Sequence, residues 1–392
     1  MPSSSKDATP SSVLQVSRHQ ARLLLLKKQF LWPPRSLQGR QGLLSYLERV
    51  RMVQYDPVNL VGTNPCITIN ARVKDFKPQM LEDMLYRDRL LFDHWDRCAS
   101  IVLLEDLPPL QRNRSDTNWR ARSRRPVPPS LYKKVKNRLA KSEEALTTSS
   151  FSDIDEREAL LLLLAKGEVE IHHREGPRRF FTLTPDSRKH LYSDRSYFNS
   201  EDEFFAWMIK RRIGSTGLLA GLSSIGLHSI VGLNPTAKRR VHQQLLNRGE
   251  ICELQVDDSK MPYYCLPDDM PLMQEDKALP PKACFLAPLD NLLWDRRMIE
   301  DLFNFSYRWE IYTKDDKRVY GPYTLPVLYG EEIIARTQLQ LDENMLRVTG
   351  WWWQAAVKPT KKMLHAVEAA LKAHATMLGT IAVSESLANA LD

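Results

Sequence analysis

The chain has 392 residues, of which 43% are hydrophobic and 27% are charged, and its formal net charge is +8. This length predicts two to four domains, and the balanced composition excludes a chain that is disordered throughout or embedded in a membrane. The excess of basic residues favours an anionic partner, of which nucleic acid is the simplest.

Residues 1–12 are polar and rich in serine, and they lack the apolar stretch of a secretion signal. We expect a short disordered tail on a protein that is not secreted, which would be cytoplasmic and nucleoid-associated in a prokaryote and nuclear in a eukaryote. No apolar run is long enough to span a membrane. The cysteines are odd in number and show no Cys-x-x-Cys spacing, which argues against a disulfide framework or a zinc site. We therefore expect neither a metal nor a cofactor.

Residues 13–110 predict a first winged-helix module. In chain order we expect a helix over 17–29, a turn at Pro33-Pro34, a helix over 40–51, and strands over 53–59 and 66–72. Gln54 and Asp56 lie in the first of these strands, where residues two apart share one face. Pro57 disfavours a helical conformation at Asp56.

An amide beside a carboxylate could hold and activate one water molecule, so Gln54 and Asp56 are candidate catalytic residues. Spacing alone has a second interpretation, in which an exposed strand simply carries polar residues and ends in an Asp-Pro turn. On spacing alone we favour that second interpretation.

Residues 111–198 combine a basic linker with a second module. The basic residues of the linker could follow a DNA backbone, with Trp119 stacking on a base, or could form a mobile solvated linker. They include Arg120, Arg122, Arg124 and Arg125. After them, a helix ending at Lys166-Gly167 runs into two alternating strands, as in the second half of a winged-helix module.

Residues 199–270 repeat that plan. A helix begins at Ser200 with Glu203 as its capping partner, and a second helix ends at Arg248-Gly249 before another hairpin. Pro235 would open a recognition helix whose first turns carry Lys238, Arg239 and Arg240. These side chains could face phosphates or could equally be a solvated helix start.

Residues 280–392 differ from the preceding segments in their pattern of apolar and polar residues. Short alternating segments at 307–312, 318–329, 331–341 and 345–353 predict a small antiparallel sheet or barrel, and a helix over 361–378 would cover it. The expected fold class is therefore α+β, with three tandem winged-helix (helix-turn-helix) modules followed by a C-terminal β-barrel-like domain.

Three segments, at 53–59, 285–297 and 320–330, resemble the winged-helix DNA glycosylase family of AlkZ and YcaQ type. The segment at 285–297 is quite specific, whereas Gln-x-Asp alone is common by chance. The resemblance implies a monofunctional glycosylase without lyase activity, which excises alkylated or crosslinked bases from double-stranded DNA. We also expect the protein to be a monomer. Gln54 and Asp56 match the catalytic motif position by position, in the Gln-x-Asp form of the YcaQ-like branch. Tyr55 and Asn59, beside them, become candidate DNA contacts.

By resemblance, Asp56 is the catalytic carboxylate and Gln54 orients the water. Because crosslinked bases cannot swing freely out of a duplex, we expect both residues to line an open groove. The alternative is a non-catalytic winged-helix DNA-binding protein or regulator. A third possibility is a resistance enzyme for one bulky adduct.

One element departs from the family pattern. Where a His-Glu-Ala-like element is expected, this chain has Trp95-Asp96-Arg97-Cys98-Ala99. This difference could alter lesion preference, but we favour the interpretation that Trp95 is a core residue in a helix-to-strand turn.

Overall fold

The computed structural model describes residues 13–115, 127–192, 197–274 and 280–391. Its α-helices are α1 Arg18–Lys28, α2 Gly39–Val50, α3 Asn64–Asn70, α4 Pro78–Glu82, α5 Leu107–Ser115, α6 Pro129–Lys141, α7 Ile154–Ala165, α8 Asp186–Lys189, α9 Glu201–Thr216, α10 Pro235–Asn247, α11 Arg296–Phe303, α12 Lys361–Leu378 and α13 Ser384–Leu391. None of these described helices combines the length and the apolar character needed to cross a bilayer.

The strands are β1 Leu14–Val16, β2 Leu37–Gln38, β3 Met52–Gln54, β4 Val73–Lys74, β5 Leu91–Trp95, β6 Ala99–Leu103, β7 Leu146–Thr147, β8 Val169–Glu175, β9 Arg178–Leu183, β10 Leu219–Ala220, β11 Cys252–Val256, β12 Pro262–Cys265, β13 Ala283–Phe285, β14 Thr324–Tyr329, β15 Glu332–Asp342, β16 Met345–Trp353 and β17 Ile381–Ala382. They form three-stranded sheets β3-β6-β5 and β7-β9-β8, a four-stranded sheet β1-β11-β12-β10, a five-stranded sheet β13-β14-β15-β16-β17 and the pair β2-β4. The chain is thus α+β.

Helix starts follow their capping residues. The Ser200 hydroxyl accepts a 3.1 Å hydrogen bond from the Glu203 backbone N–H, which confirms the predicted start of α9. Pro235 opens α10 behind an Asn234 cap, because the first helical turn tolerates a residue without an N–H. Two predicted helix-to-hairpin units are present: α7 leads into β8–β9, and α10 leads into β11–β12.

The first hairpin prediction is wrong. The strand expected over 53–59 ends at Gln54, and the partner of β3 is β6. The segment expected as its second strand is the helix α3, in which Pro65 occupies the first turn. The β-branched residues of this segment suit a strand locally, but every residue of α3 is buried, and tertiary packing overrides that preference.

The C-terminal sheet is a curled half-barrel that includes β13, ahead of the predicted strands, and its strand β14 begins later than predicted. Residues 307–312 are not a strand, and β14 starts at Thr324. The cause lies in Glu310, whose carboxylate accepts hydrogen bonds from the backbone N–H groups of Val319, Tyr320 and Gly321. Those donors are therefore unavailable to a sheet.

The largest hydrophobic cluster joins the N-terminal part of the chain to the C-terminal sheet. Val53 and Ile67 belong to the same cluster as Leu325, Ile334 and Leu371. Met52, the neighbour of Val53, instead packs in a second cluster with α9 and α10. The strand β3 therefore lies where two hydrophobic clusters meet, and buried side chains pack against both of its faces.

Candidate active site

Gln54 is the last residue of β3, and both its backbone and its side chain are held. Its backbone oxygen accepts a 2.8 Å hydrogen bond from Asn64 Nδ2. The side-chain Oε1 accepts a 3.2 Å hydrogen bond from an Arg97 guanidinium N–H. Gln54 remains partly exposed, so this ordered amide faces an accessible part of the surface.

Asp56 lies just beyond the strand. The Tyr55 N–H donates to the Ala99 carbonyl over 2.8 Å, which extends the ladder by one residue before the chain turns at Pro57. The Asp56 carboxylate then accepts a 2.9 Å hydrogen bond from the Val58 N–H, closing a turn around the proline. Asp56 is partly exposed rather than deeply buried, as an open site requires.

Partial burial sets the acidity of Asp56. Desolvation raises the pKa of its carboxyl above the ordinary value, and the Val58 hydrogen bond offsets part of that shift. A carboxylate with a raised pKa is a stronger base than a fully solvated one. Asp56 is therefore suited to accept a proton from water.

The segment at 285–297 fixes the position of β3. The Asn64 Oδ1 accepts a 2.9 Å hydrogen bond from the Leu289 N–H, so Asn64 links this segment to Gln54. The Asn291 amide donates to the Met52 carbonyl over 2.8 Å and to the Ser215 carbonyl over 3.1 Å. Asn64 and Asn291 thus tie the candidate catalytic strand to two other parts of the fold.

A buried ion pair lies beneath this contact. Arg72 donates to both oxygens of Asp290 at 2.5 and 2.7 Å, and neither side chain is exposed. Although burial alone would lower the pKa of Arg72, the adjacent Asp290 carboxylate raises it overall. Arg72 therefore stays charged, and its pair with Asp290 anchors the start of the 290–293 turn.

Tyr55 is part of a different surface. Its ring lies under the Arg174 guanidinium, 4.0 Å from the ring centroid, and it lines a cleft of about 180 Å³ with Asn59, Pro65, Tyr86 and Gly176. Arg174 comes from β8 and forms a two-point ion pair with Asp93 of β5. Burial raises the pKa of Tyr55 to about 12, against the opposing effect of Arg174. Tyr55 is therefore neutral near neutral pH.

Of the other predicted DNA contacts, Asn59, Lys238 and Arg240 have hydrogen-bond partners within the protein. Asn59 is exposed, and its side chain accepts a 3.0 Å hydrogen bond from the Gly62 N–H, which stabilises a turn. Lys238 donates to the Leu222 carbonyl over 3.1 Å, and Arg240 forms a two-point ion pair with Asp202. Arg239 is exposed. Arg120, Arg122, Arg124 and Arg125 lie outside the described residues.

Sequence patterns assign no role to Asn64, Asn291 or Arg97, which the structure places around β3. Asn64 precedes a proline and reads as a turn residue, while Asn291 lies inside the segment that carries the resemblance. Arg97 lies inside the element that departs from it, in the turn between β5 and β6. Trp95 ends β5 and is partly exposed, so its predicted place as a core residue in a helix-to-strand turn is wrong.

Two comparisons with known proteins place this arrangement in a family. The sequence model of a family described as DNA glycosylase AlkZ-like matches residues 47–380. A solved structure of Streptomyces sahachiroi DNA glycosylase AlkZ is similar to this chain with a TM-score of 0.62 and 15% identity, over 94% of this chain and 100% of that one. The structural similarity shows a shared fold, and the family match covers most of the chain. This chain belongs to the AlkZ-like DNA glycosylase family.

Proposed function

We propose that this protein is a monofunctional glycosylase that hydrolyses the N-glycosidic bond of N7-alkylated purines, DNA interstrand crosslinks or both. In this proposal Asp56 is the catalytic carboxylate, Gln54 positions the water, and the protein acts as a monomer on double-stranded DNA. The observation that carries it is the pairing of an ordered amide with a partly desolvated carboxylate on one rigid, accessible turn.

Cleavage of the glycosidic bond of an N7-alkylated purine does not require a strong general acid. A purine alkylated at N7 already carries positive charge and leaves as a neutral base, so the transition state develops positive charge on the sugar. A carboxylate near that centre stabilises the charge and accepts a proton from the attacking water. Asp56 supplies both functions, because its pKa is raised but it still ionises as a carboxyl group.

The proposal of hydrolysis without lyase activity is supported by the residues that contact Gln54 and Asp56. In the described part of the chain, the residues that hydrogen-bond to Gln54 and Asp56 are Asn64, Arg97 and Val58, and none of them is a lysine. A lyase mechanism needs an amine that attacks the sugar. Hydrolysis by water is therefore the reaction that these residues support.

The open position of Asp56 favours lesions that cannot leave the duplex. A crosslinked base is tethered to the opposite strand and cannot rotate into a closed pocket. We propose that the winged-helix modules predicted from the sequence, two of which have their helix-to-hairpin units in the structure, hold the duplex against this surface. The hairpin β8–β9 lies next to the catalytic pair, because its Arg174 contacts the Tyr55 ring.

A panel of duplexes tests the reaction. Each duplex contains N7-methylguanine, a nitrogen-mustard interstrand crosslink or a bulky natural-product adduct. The released base is quantified by mass spectrometry. We expect base release without strand cleavage, and the pattern across the panel identifies the lesion class. Binding to DNA with a sequence-specific footprint and no base release from any lesion would instead establish a non-catalytic DNA-binding protein.

A further inference from the structure

Arg97 contacts the candidate catalytic amide from a turn that departs from the family pattern. The turn joins β5 to β6, and the Arg97 guanidinium donates to Gln54 Oε1 over 3.2 Å. On its other side the same guanidinium lies 5.0 Å from the ring centroid of Trp294, within the range of a cation–π contact. Arg97 is thus held between the candidate site and the segment that braces it.

A buried charge cluster fixes the turn itself. Asp96, which has no exposed surface, accepts a 2.6 Å hydrogen bond from Arg211 and a second from Arg212, both on α9. Burial alone would raise the pKa of Asp96, but the two arginines lower it overall. Because breaking this cluster would leave charges buried without partners, the turn has little freedom to move. Arg97 therefore projects from a rigid support.

The contact determines which end of the amide faces the site. A guanidinium has only N–H donors, so only the amide oxygen can accept from it. The Gln54 Nε2 then points away from Arg97, and it makes no hydrogen bond within the described part of the chain. Two N–H groups are left to donate to the oxygen of a water molecule, whose own hydrogen can point to Asp56.

We propose that Arg97 is a positioning residue that locks the Gln54 amide with Nε2 toward the attacking water. The inference rests on the proposed function and adds a residue to it. Without Arg97, the amide can rotate by half a turn and present its oxygen, which competes with Asp56 for the same water hydrogen. The loss then appears in the chemical step and not in DNA binding.

A double-mutant cycle tests this coupling. Arg97→Met, Gln54→Ala and the double variant are compared with wild type in single-turnover base release, on the lesion that the wild-type protein processes fastest. We expect each single variant to be slower by about 10- to 100-fold, and the double variant to be no slower than Gln54→Ala. Arg97→Lys should recover part of the rate, since an ammonium donates to the same oxygen but lacks the fixed fork.

Two further readouts separate positioning from a structural role or a phosphate contact. Gln54→Glu keeps an acceptor for Arg97 but has no N–H donor when ionised, so we expect it to be as slow as Gln54→Ala. Arg347→Met, on β16, is the matched control for loss of one positive charge and should leave both rate and affinity unchanged. Thermal melts should place Arg97→Met close to wild type.

The possible results are distinct. Multiplicative losses in the cycle, a weaker DNA affinity that accounts for the Arg97→Met defect, or wild-type rates for Gln54→Glu would each overturn the role of Arg97 while leaving the glycosylase intact. A wild-type protein that releases no base from any lesion of the panel would overturn the proposed function and this inference together.

Discussion

Two three-stranded sheets of this protein are built alike but supported differently. The sheet β3-β6-β5, which carries Gln54, lies between the largest cluster of buried residues and the cluster of α9 and α10, and it is held by contacts of Asn64, Asn291 and Asp96. The sheet β7-β9-β8 packs on its own smaller cluster with α6 and α7. The Arg174–Asp93 ion pair connects the two sheets, and Arg89, two residues before β5, pairs with Glu170 of β8.

The different supports of the two sheets suit different roles, catalysis for β3-β6-β5 and DNA contact for β7-β9-β8. Chemistry requires atoms held to fractions of an ångström, which a strand between two cores provides. A wing that grips DNA of varied shape benefits from a separate core, because it can shift without disturbing the catalytic strand. We therefore expect loss of the buried Arg72–Asp290 pair beneath β3 to cost more than loss of the contact between the sheets.

The largest effect should follow loss of the buried pair beneath β3. Asp290→Ala leaves the Arg72 guanidinium buried without its partner, and we expect a loss of about 3–5 kcal/mol in the free energy of unfolding. Urea denaturation measures it. Asp186→Ala removes a carboxylate from an exposed ion pair with Lys189 and serves as the matched control, with little change expected. Equal effects of the two variants would show that the buried pair does not support the fold.

A smaller effect should follow loss of the Asn64 link. Asn64→Ala removes the hydrogen bonds to the Gln54 carbonyl and from the Leu289 N–H, both partly buried, and we expect about 2 kcal/mol of destabilisation. Base release should also slow by about tenfold, because the catalytic amide loses its backbone support. Asn344→Ala, at an exposed turn, is the control. A stability loss without a slower rate would separate Asn64 from the site.

The contact between the sheets should matter less for stability than the buried pair beneath β3. Arg174→Met removes the ion pair with Asp93 and the contact with the Tyr55 ring. Because the nearly buried Asp93 carboxylate keeps its hydrogen bond from Tyr86, we expect about 2 kcal/mol of destabilisation, which is less than for Asp290→Ala. Any loss of activity should appear as weaker DNA affinity, measured by fluorescence anisotropy. A destabilisation as large as that of Asp290→Ala would contradict a separate core for the wing.

Acid should stop the reaction before it unfolds the protein. The pKa of Asp56 is raised, so base release should fall as pH drops through a value above that of an ordinary aspartate. Protonation of Asp56 removes a desolvated charge and does not destabilise the fold. The pKa of Asp96 is lowered, so its contribution to stability is present above the ordinary pKa and is lost only as pH falls through the lower folded value. Coincident loss of rate and of structure would contradict this order.

Local patterns predicted much of the architecture but not how distant segments meet. The α10 start and the hairpins β8–β9 and β11–β12 depend on neighbours in sequence, through caps and turns, and they were predicted correctly. The helix α3 was not, because its strand-like residues are buried by parts of the chain far away. The candidate pair of Gln54 and Asp56 follows from spacing and resemblance. Asn64 and Arg97 could not be assigned, since their roles come from contacts between segments separated along the chain.

The central claim is that Asp56 supports hydrolysis of the glycosidic bond. Asp56→Asn retains an oxygen for the Val58 N–H and removes only the charge, so folding and DNA affinity should stay at wild-type levels. Single-turnover base release from the lesion that wild type processes fastest is the most direct measurement, and we predict a loss of about 10³-fold. A variant that releases the base at the wild-type rate would contradict the proposed mechanism.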